Sequence, residues 1–328
     1  MYLFYPNPCV NASAPVSLSF TSASVSAALC IPTVFGNLLV VLAVIIDPNG
    51  ELKRSPFNYF VANLAACDLI VGVITDPLTV DFHIREGLRL KIYRDHKVEH
   101  MAFFISCTGS LLSMAALAVD RLTAITSPLK YRAKLAYNRV IVASVCIWVF
   151  SLSFPFIYFL VHFIAYAFVF VNTAVIVTFI VLVVTTLKIS RNLRRQVQHW
   201  TDLNEDSSSG SSVNKPQEHA QKREQVMTKA FVLMLLVFMG CFLPACVFAY
   251  LLNLCRVCSC NLIEWSRDLV LLFVLANSAI NPYLYAWRLK AFRSAFGKIF
   301  LCQYGKMKAV TGDITGRTSG NTTSSLPA

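Results

Sequence analysis

Charge is what this chain has least of. Only 14% of its 328 residues are Asp, Glu, Lys or Arg, against about 25% in a soluble domain. So few charges cannot solvate a globular surface, and a soluble enzyme is excluded. Disorder and collagen-like structure fail as well, with 12 Gly, 13 Pro and 24 Phe. No long internal repeat is present, so a transporter built from two related halves finds no support. No basic–aromatic motif accompanies the net charge of +12, which leaves nucleic acid without a case. What fills the chain is apolar: 56% of residues, with a mean hydropathy of +0.60. That combination describes a polytopic membrane protein.

A helix needs ~20 apolar residues to cross a bilayer. Seven such stretches follow one another: Ser24–Ile46, Phe57–Val80, Val98–Thr126, Val140–Leu160, Phe163–Leu187, Val226–Leu252 and Leu262–Trp287. The fourth and fifth share one run, Val140–Leu187, which holds no Asp, Glu, Lys or Arg across 48 residues. It must fold back once, and Pro155 and His162 bracket the place. With seven spans the termini lie on opposite sides.

The basic residues choose the sides. With the N-terminus outside, the four inner segments hold two, five, eight and seven Lys or Arg, 22 of 29. That asymmetry satisfies the positive-inside tendency and accounts for the +12 without a polyanionic partner. Asn11-Ala12-Ser13 is then a glycosylation acceptor on the outer tail. Residues 1–23 lack a basic n-region and an obvious cleavage site, so span 1 is expected to serve as an uncleaved signal anchor. Asn204–Pro216 reads as a flexible inner loop, and 311–328 as a Gly/Ser/Thr-rich disordered tail.

Ionisable groups inside a span are costly and usually functional. At ~1.5 Å per residue, Asp68 in span 2, Ser110 in span 3 and Asn277 in span 7 all sit roughly 16 Å from the inner boundary. Asn281 shares a face with Asn277 at i, i+4. One carboxylate and neutral oxygens at the midplane suit a small hard cation. A hydrogen-bonded polar patch without an ion accounts for them equally. Span 3 ends Asp120-Arg121-Leu122, and span 6 begins near Glu224. Arg121 at the inner lip is placed to pair with Asp120 and with Glu224, or to snorkel at a helix end. Pro244 in span 6 and Pro282 in span 7 each remove a backbone hydrogen bond and set a kink.

Taken together, these residues resemble the rhodopsin-like (class A) G-protein-coupled receptors. The motifs are Gly36-Asn37, Leu64-Ala65-Ala66-Cys67-Asp68, Asp120-Arg121-Leu122, Trp148, Phe238-Met239-Gly240-Cys241-Phe242-Leu243-Pro244, and Asn281-Pro282-Tyr283-Leu284-Tyr285 followed by Arg288 and Phe292. They cover nearly residues 25–302. The resemblance implies an all-α membrane protein, a seven-transmembrane helix bundle with a short amphipathic eighth helix. The organisation is an outer tail 1–23, a receptor domain 24–302 and a disordered inner tail 303–328. It also implies a sodium pocket at Asp68, Ser110, Asn277, Ser278 and Asn281, so that Asp68 holds the metal and an allosteric sodium ion replaces any cofactor. Arg121 matches the arginine that enters the G-protein interface, with Glu224 its resting partner. Tyr285 matches a tyrosine that turns inward on activation, and Pro128-Leu129 with Tyr131 resembles the loop that docks on Gα. Cys302 matches a palmitoylation position. The implied partners are a heterotrimeric G protein, arrestin and receptor kinases, with a plasma-membrane location.

Departures from the family pattern bear on the ligand. The usual cysteine at the outer end of span 3 is His96, and the second outer loop is too short and has no cysteine. Span 5 has Thr178 near the usual proline and Thr186 at the inner tyrosine, and the span 6 tryptophan is Phe242. This pattern looks most like the melanocortin, cannabinoid and lysolipid branch, melanocortin receptors above all. Yet Leu78, His96 and His100 replace the acids that hold that subfamily's calcium and peptide, and Asp76 and Asp81 lie nearby without matching. Phe103 replaces the amine-binding aspartate, and Leu275 the retinal lysine. The implied pocket includes Phe103, Phe104, Cys107, Phe242, Cys246, Ala249, Leu271 and Val274. It lacks buried charge and favours an apolar or neutral ligand: a small molecule, lipid or peptide.

Of 11 cysteines, Cys9, Cys255, Cys258 and Cys260 face the oxidising side and allow two bridges in three arrangements; a zinc site in that loop lacks a clear His partner. Cys30, Cys67, Cys107, Cys146, Cys241 and Cys246 lie within spans as small packing residues. The expected activity is that of a receptor, not an enzyme. The rival class is an ion-coupled transporter or channel using Asp68. His83, His96, His100 and His162 read as rim histidines at the outer face.

Overall fold

The computed structural model describes residues 9, 14–91, 97–126, 135–161, 163–206, 215–255 and 257–301. Seven helices among them are long and apolar enough to cross a membrane, and no strand occurs among the described residues. Helix 1 (Val16–Ile46) begins earlier than the Ser24 expected from hydropathy, so the outer tail ends before residue 23. The serines that lower the hydropathy of this turn are accommodated by the helix itself. Thr21 and Ser24 donate to the carbonyls of Ser17 and Phe20 at 2.7 and 2.8 Å, while Ser19 and Ser22 bond to other helices. The helix stops at Asp47, left-handed with φ 43°, whose carboxylate accepts from the backbone N–H groups of Glu51, Leu52 and Lys53 at 3.0–3.1 Å.

Helix 2 runs Pro56–Gly87. Pro56 occupies the first turn, where its missing N–H costs nothing, and a π-turn at Val71–Thr75 interrupts it. Helix 3 is Lys97–Thr126. Helix 4 runs Leu135–Ser153, tightens to a 3-10 turn at Phe154–Ile157 around Pro155, and ends at Val161. Helix 5 starts at Phe163, so the uncharged run reverses where Pro155 and His162 bracket it. A second π-turn at Val171–Val175 precedes a long segment, Ile176–Asp206, and helix 6 is Lys215–Leu254. Both extend into the expected inner loop, leaving 207–214 between them. Helix 7 is Cys260–Arg288. Helices 6 and 7 continue through Pro244 and Pro282. Helix 8 spans 290–301 and buries Phe292, Ala295 and Ile299, the i, i+3, i+7 stripe of an amphipathic helix.

Small residues bring the helices together, the usual packing logic in lipid. A Cβ added to Gly36 would lie 2.8 Å from the Cβ and Cγ of Pro282, so helix 1 meets helix 7 there. One added to Gly72 would lie 2.8 Å from Val34 and 3.0 Å from Thr33, and one added to Gly109 would collide with Cys67. Asn63 and Trp148 tie helix 2 to helix 4: the indole donates to Asn63 at 3.3 Å, and Asn63 donates to Ser144 at 2.7 Å. Of the three possible cysteine arrangements, the structure has Cys9–Cys260 and Cys255–Cys258.

Candidate functional site

Three polar centres lie within the apolar bundle. On helix 2, Asp68 has no exposed surface. Ser278 donates to its Oδ1 at 2.7 Å and Asn281 to its Oδ2 at 2.8 Å. Asn37 donates to the carbonyl of Ser278 at 3.0 Å, which joins helix 1 to the cluster. Ser110 and Asn277 are buried in the neighbouring helices but make no direct bond to Asp68, and Asn277 Oδ1 meets no donor. Of the residues expected to group with it, Ser278 and Asn281 contact the Asp68 carboxylate. Asn277 and Ser110 belong to the same expected group without a direct bond to it.

Near the C-terminal end of helix 3, Arg121 has no exposed surface. Its Nε and Nη2 donate to Asp120 Oδ2 at 3.0 and 2.6 Å, and its guanidinium lies 4.8 Å from the centre of the Phe57 ring. Both contacts stabilise a buried cation. Glu224 is on helix 6, but its side chain lies outside the described residues, so the expected Arg121–Glu224 pair does too. Tyr285 is fully buried, its ring 5.8 Å from that of Phe292, and its hydroxyl meets no partner. Leu129, Tyr131, Asn11, Cys302, His96 and His162 all fall outside the described residues.

The third centre was not anticipated. His83 was expected on the rim but is buried, its Nδ1 3.4 Å from Glu86 Oε2 and 3.8 Å from Asp268 Oδ2. Ser19 donates to Glu86 at 2.9 Å and Ser22 to Asp268 at 2.6 Å. Arg267 closes the cluster, 3.1 Å from Glu86, 2.9 Å from Asp268 and 2.7 Å from Glu264. A signal for it was present in the sequence: Ser19, Ser22, Ser26 and Thr33 form a polar stripe at helical spacing on helix 1. The matching stripe on helix 2 is Asp76, Thr79, His83 and Glu86.

The eight expected pocket residues divide. Phe104 packs into an aromatic group with Tyr166 and Phe170, ring centres 4.6 and 5.4 Å away. Phe242 stacks on Phe238 at 4.3 Å. Cys107 and Val274 are buried, and Phe103, Ala249 and Leu271 half-buried. Only Cys246 lines the groove of about 350 Å³ between helices 5 and 6, with Phe179, Val183 and Leu243 among its apolar walls. That groove opens sideways, since Ile180, Val183, Val184 and Leu243 are exposed on the bundle's flank.

The sequence pattern of the 7 transmembrane receptor (rhodopsin family) matches residues 36–165 and 161–285, nearly the whole bundle. The chain belongs to this family. It is a G-protein-coupled receptor and a multi-pass membrane protein, of a family of signalling receptors. The receptor is 25% identical to human adenosine receptor A2a over 87% of this chain and 73% of that one. It is 27% identical to melanocortin receptor 4 of Danio rerio over 82% and 80%. Dopamine receptor 4 of Caenorhabditis elegans is 36% identical, but the match spans only 39% of this chain and 24% of that one.

Proposed function

We propose that the receptor sits in the plasma membrane with its N-terminus outside and responds to an apolar or neutral extracellular ligand. Ligand binding among helices 3, 5, 6 and 7 favours outward movement of helix 6, which opens an inner cavity for the Gα subunit. A ligand shifts this equilibrium only by its differential affinity for the two states. The observation that carries the reading is Arg121, fully buried and held by Asp120. A guanidinium kept from the inner surface in this way suits a resting state that release of the arginine would end. Glu224 is its expected second partner, Leu129 and Tyr285 complete the coupling region, and arrestin and receptor kinases act on the active state. A sodium ion at Asp68, with Ser110, Asn277, Ser278 and Asn281, stabilises the resting state.

The names of similar receptors point to adenosine, melanocortin and dopamine, so likeness selects no ligand. The sideways groove supports an apolar one that arrives through the bilayer and reaches Cys246 first, with Phe103, Phe104, Cys107, Phe242, Ala249, Leu271 and Val274 deeper. Glycosylation of Asn11 and palmitoylation of Cys302 belong to the same reading.

The test is ligand-free nucleotide exchange on a panel of Gα reporters at matched surface expression. Asp120→Asn and Glu224→Ala should each raise basal exchange, Asp120→Asn by roughly tenfold for one charge-assisted bond. Basal exchange equal to wild type in both variants refutes the lock.

A further inference from the structure

Helix 2 carries two acids with no exposed surface, Asp68 and Asp76. In an uninterrupted α-helix the face of Asp68 would continue at i+7, which is Thr75. The π-turn at Val71–Thr75 adds one residue. Asp76 takes that face instead, roughly 12 Å farther out along the helix at ~1.5 Å per residue. Their surroundings differ. Asp68 is bonded to Ser278 and Asn281, whereas neither carboxylate oxygen of Asp76 meets a donor.

Helix 1 covers Asp76, and two contacts fix its register. Ser19 bonds Glu86 at 2.9 Å, and Thr33 lies against Gly72. Fourteen residues separate the two contacts on each helix, and between the π-turn and Glu86 both helices are regular, so the pairing runs in step from the Ser19–Glu86 bond to Thr79. It sets Ser22 opposite His83 and Ser26 opposite Thr79, one turn from Asp76. Ser26 is itself fully buried, and its hydroxyl has no partner either. Two independent unpartnered groups on two helices therefore face one interface.

A carboxylate cut off from water and from every donor must hold either a proton or a cation. The unpartnered groups here are oxygens alone, since the neighbouring Cys30 thiol is engaged with the Gly72 carbonyl at 3.3 Å. Among the described residues no group of three or more His, Cys, Asp and Glu converges to hold a metal. One carboxylate with two free oxygens, a hydroxyl and water suit a small hard monovalent ion. Farther along helix 2, Glu86 with Asp268 and Glu264 of helix 7 outnumber Arg267 three to one, which leaves that end of the seam acidic. We propose that Asp76 and Ser26 bind a sodium ion, a second cation site outward of Asp68 between helices 1 and 2.

The inference does not depend on Asp68 holding sodium, and the experiment separates the two. Radioactive sodium binding is measured on the purified full-length receptor in nanodiscs, with choline maintaining ionic strength. Wild type is expected to bind two ions, Asp68→Asn one, Asp76→Asn one, and the double variant none. An Asp68→Asn receptor that binds none overturns the proposal and leaves Asp76 protonated. Loss of an ion in Asp76→Asn but none in Asp68→Asn supports this site and refutes the one at Asp68. Should Asp76→Asn fail to fold, Ser26→Ala in the Asp68→Asn background reads the same site. Its half-saturating sodium is expected to rise roughly tenfold for one lost oxygen ligand, and an unchanged value overturns the proposal.

Discussion

Asp47 shows how one side chain settles a local structure. The chain leaves helix 1 in a left-handed conformation that a short polar residue tolerates, and the same residue's carboxylate then collects three backbone N–H groups. Partial burial alone would push the Asp47 carboxyl up. The N–H groups of Lys53, Leu52 and Glu51, together with the Lys53 charge, outweigh it and hold the group below the usual carboxylate range. A lowered folded value means that the stabilisation is present above the ordinary range and is lost as pH falls through the lowered value. Asp47→Ala should therefore lower the thermal midpoint at neutral pH, with the gap to wild type closing on acidification. A gap that is constant across the pH series would show that the carboxylate's charge plays no part. At this scale the sequence was legible wherever a residue's depth decided its role. Asp68 and Asn281 could be located by counting along helices from their inner ends. His83 could not, because its burial depends on Ser22 and Asp268, from helices far away in the chain.

At the scale of elements, the spans were readable because hydropathy and length suffice to define them. Their ends and irregularities were not. Helix 1 gained its outer turns through bonds that no hydropathy average contains. The π-turn in helix 2 holds Gly72 and is followed by Pro77, but these residue types mark only an irregularity; its extra residue decides whether Thr75 or Asp76 shares the face of Asp68. Close helix contacts are a further element-level property. Gly36 and the Pro282 ring meet where a methyl group has no room, and neither a proline ring nor the helix around it yields easily. Gly36→Ala should cost about 1–3 kcal/mol as overpacking, read as a lower thermal midpoint in detergent. Gly240, with nothing within 4 Å of an added Cβ, provides the control: Gly240→Ala should leave the midpoint unchanged or raise it. Equal losses in both variants would mean that glycine's absence, not the Pro282 contact, is being measured.

For the whole molecule, the N-terminal ends of helices 1 and 7 are tied twice, by the Cys9–Cys260 bridge and by Ser22 on Asp268. The bridge closes a loop of 251 residues, while Cys255–Cys258 spans only three. In the chain-entropy account the long loop gains more from closure. Replacing Cys9 and Cys260 together by serine should lower the midpoint by more than replacing Cys255 and Cys258. The reverse order would assign the outer stability to the third outer loop alone. The overall bundle and the family were accessible from the sequence. The polar stripes of helices 1 and 2 were visible at helical spacing, but their seam with helix 7 was not, because it exists only once distant segments are in register.

That seam also bears on how the protein is made. Helix 1 leaves the ribosome first, with Ser19, Ser22 and Ser26 on one side, and helix 2 follows with Asp76, His83 and Glu86. An aspartate at the centre of a lone helix costs about 2.5–3.5 kcal/mol on insertion scales. Asp268, which receives Ser22 and faces His83, is synthesised nearly at the end of the bundle. Helices 1 and 2 can pair Ser19 with Glu86 early, but Ser22 and His83 gain Asp268 only when helix 7 has been made. Quality control of this receptor during biogenesis then turns on the arrival of helix 7.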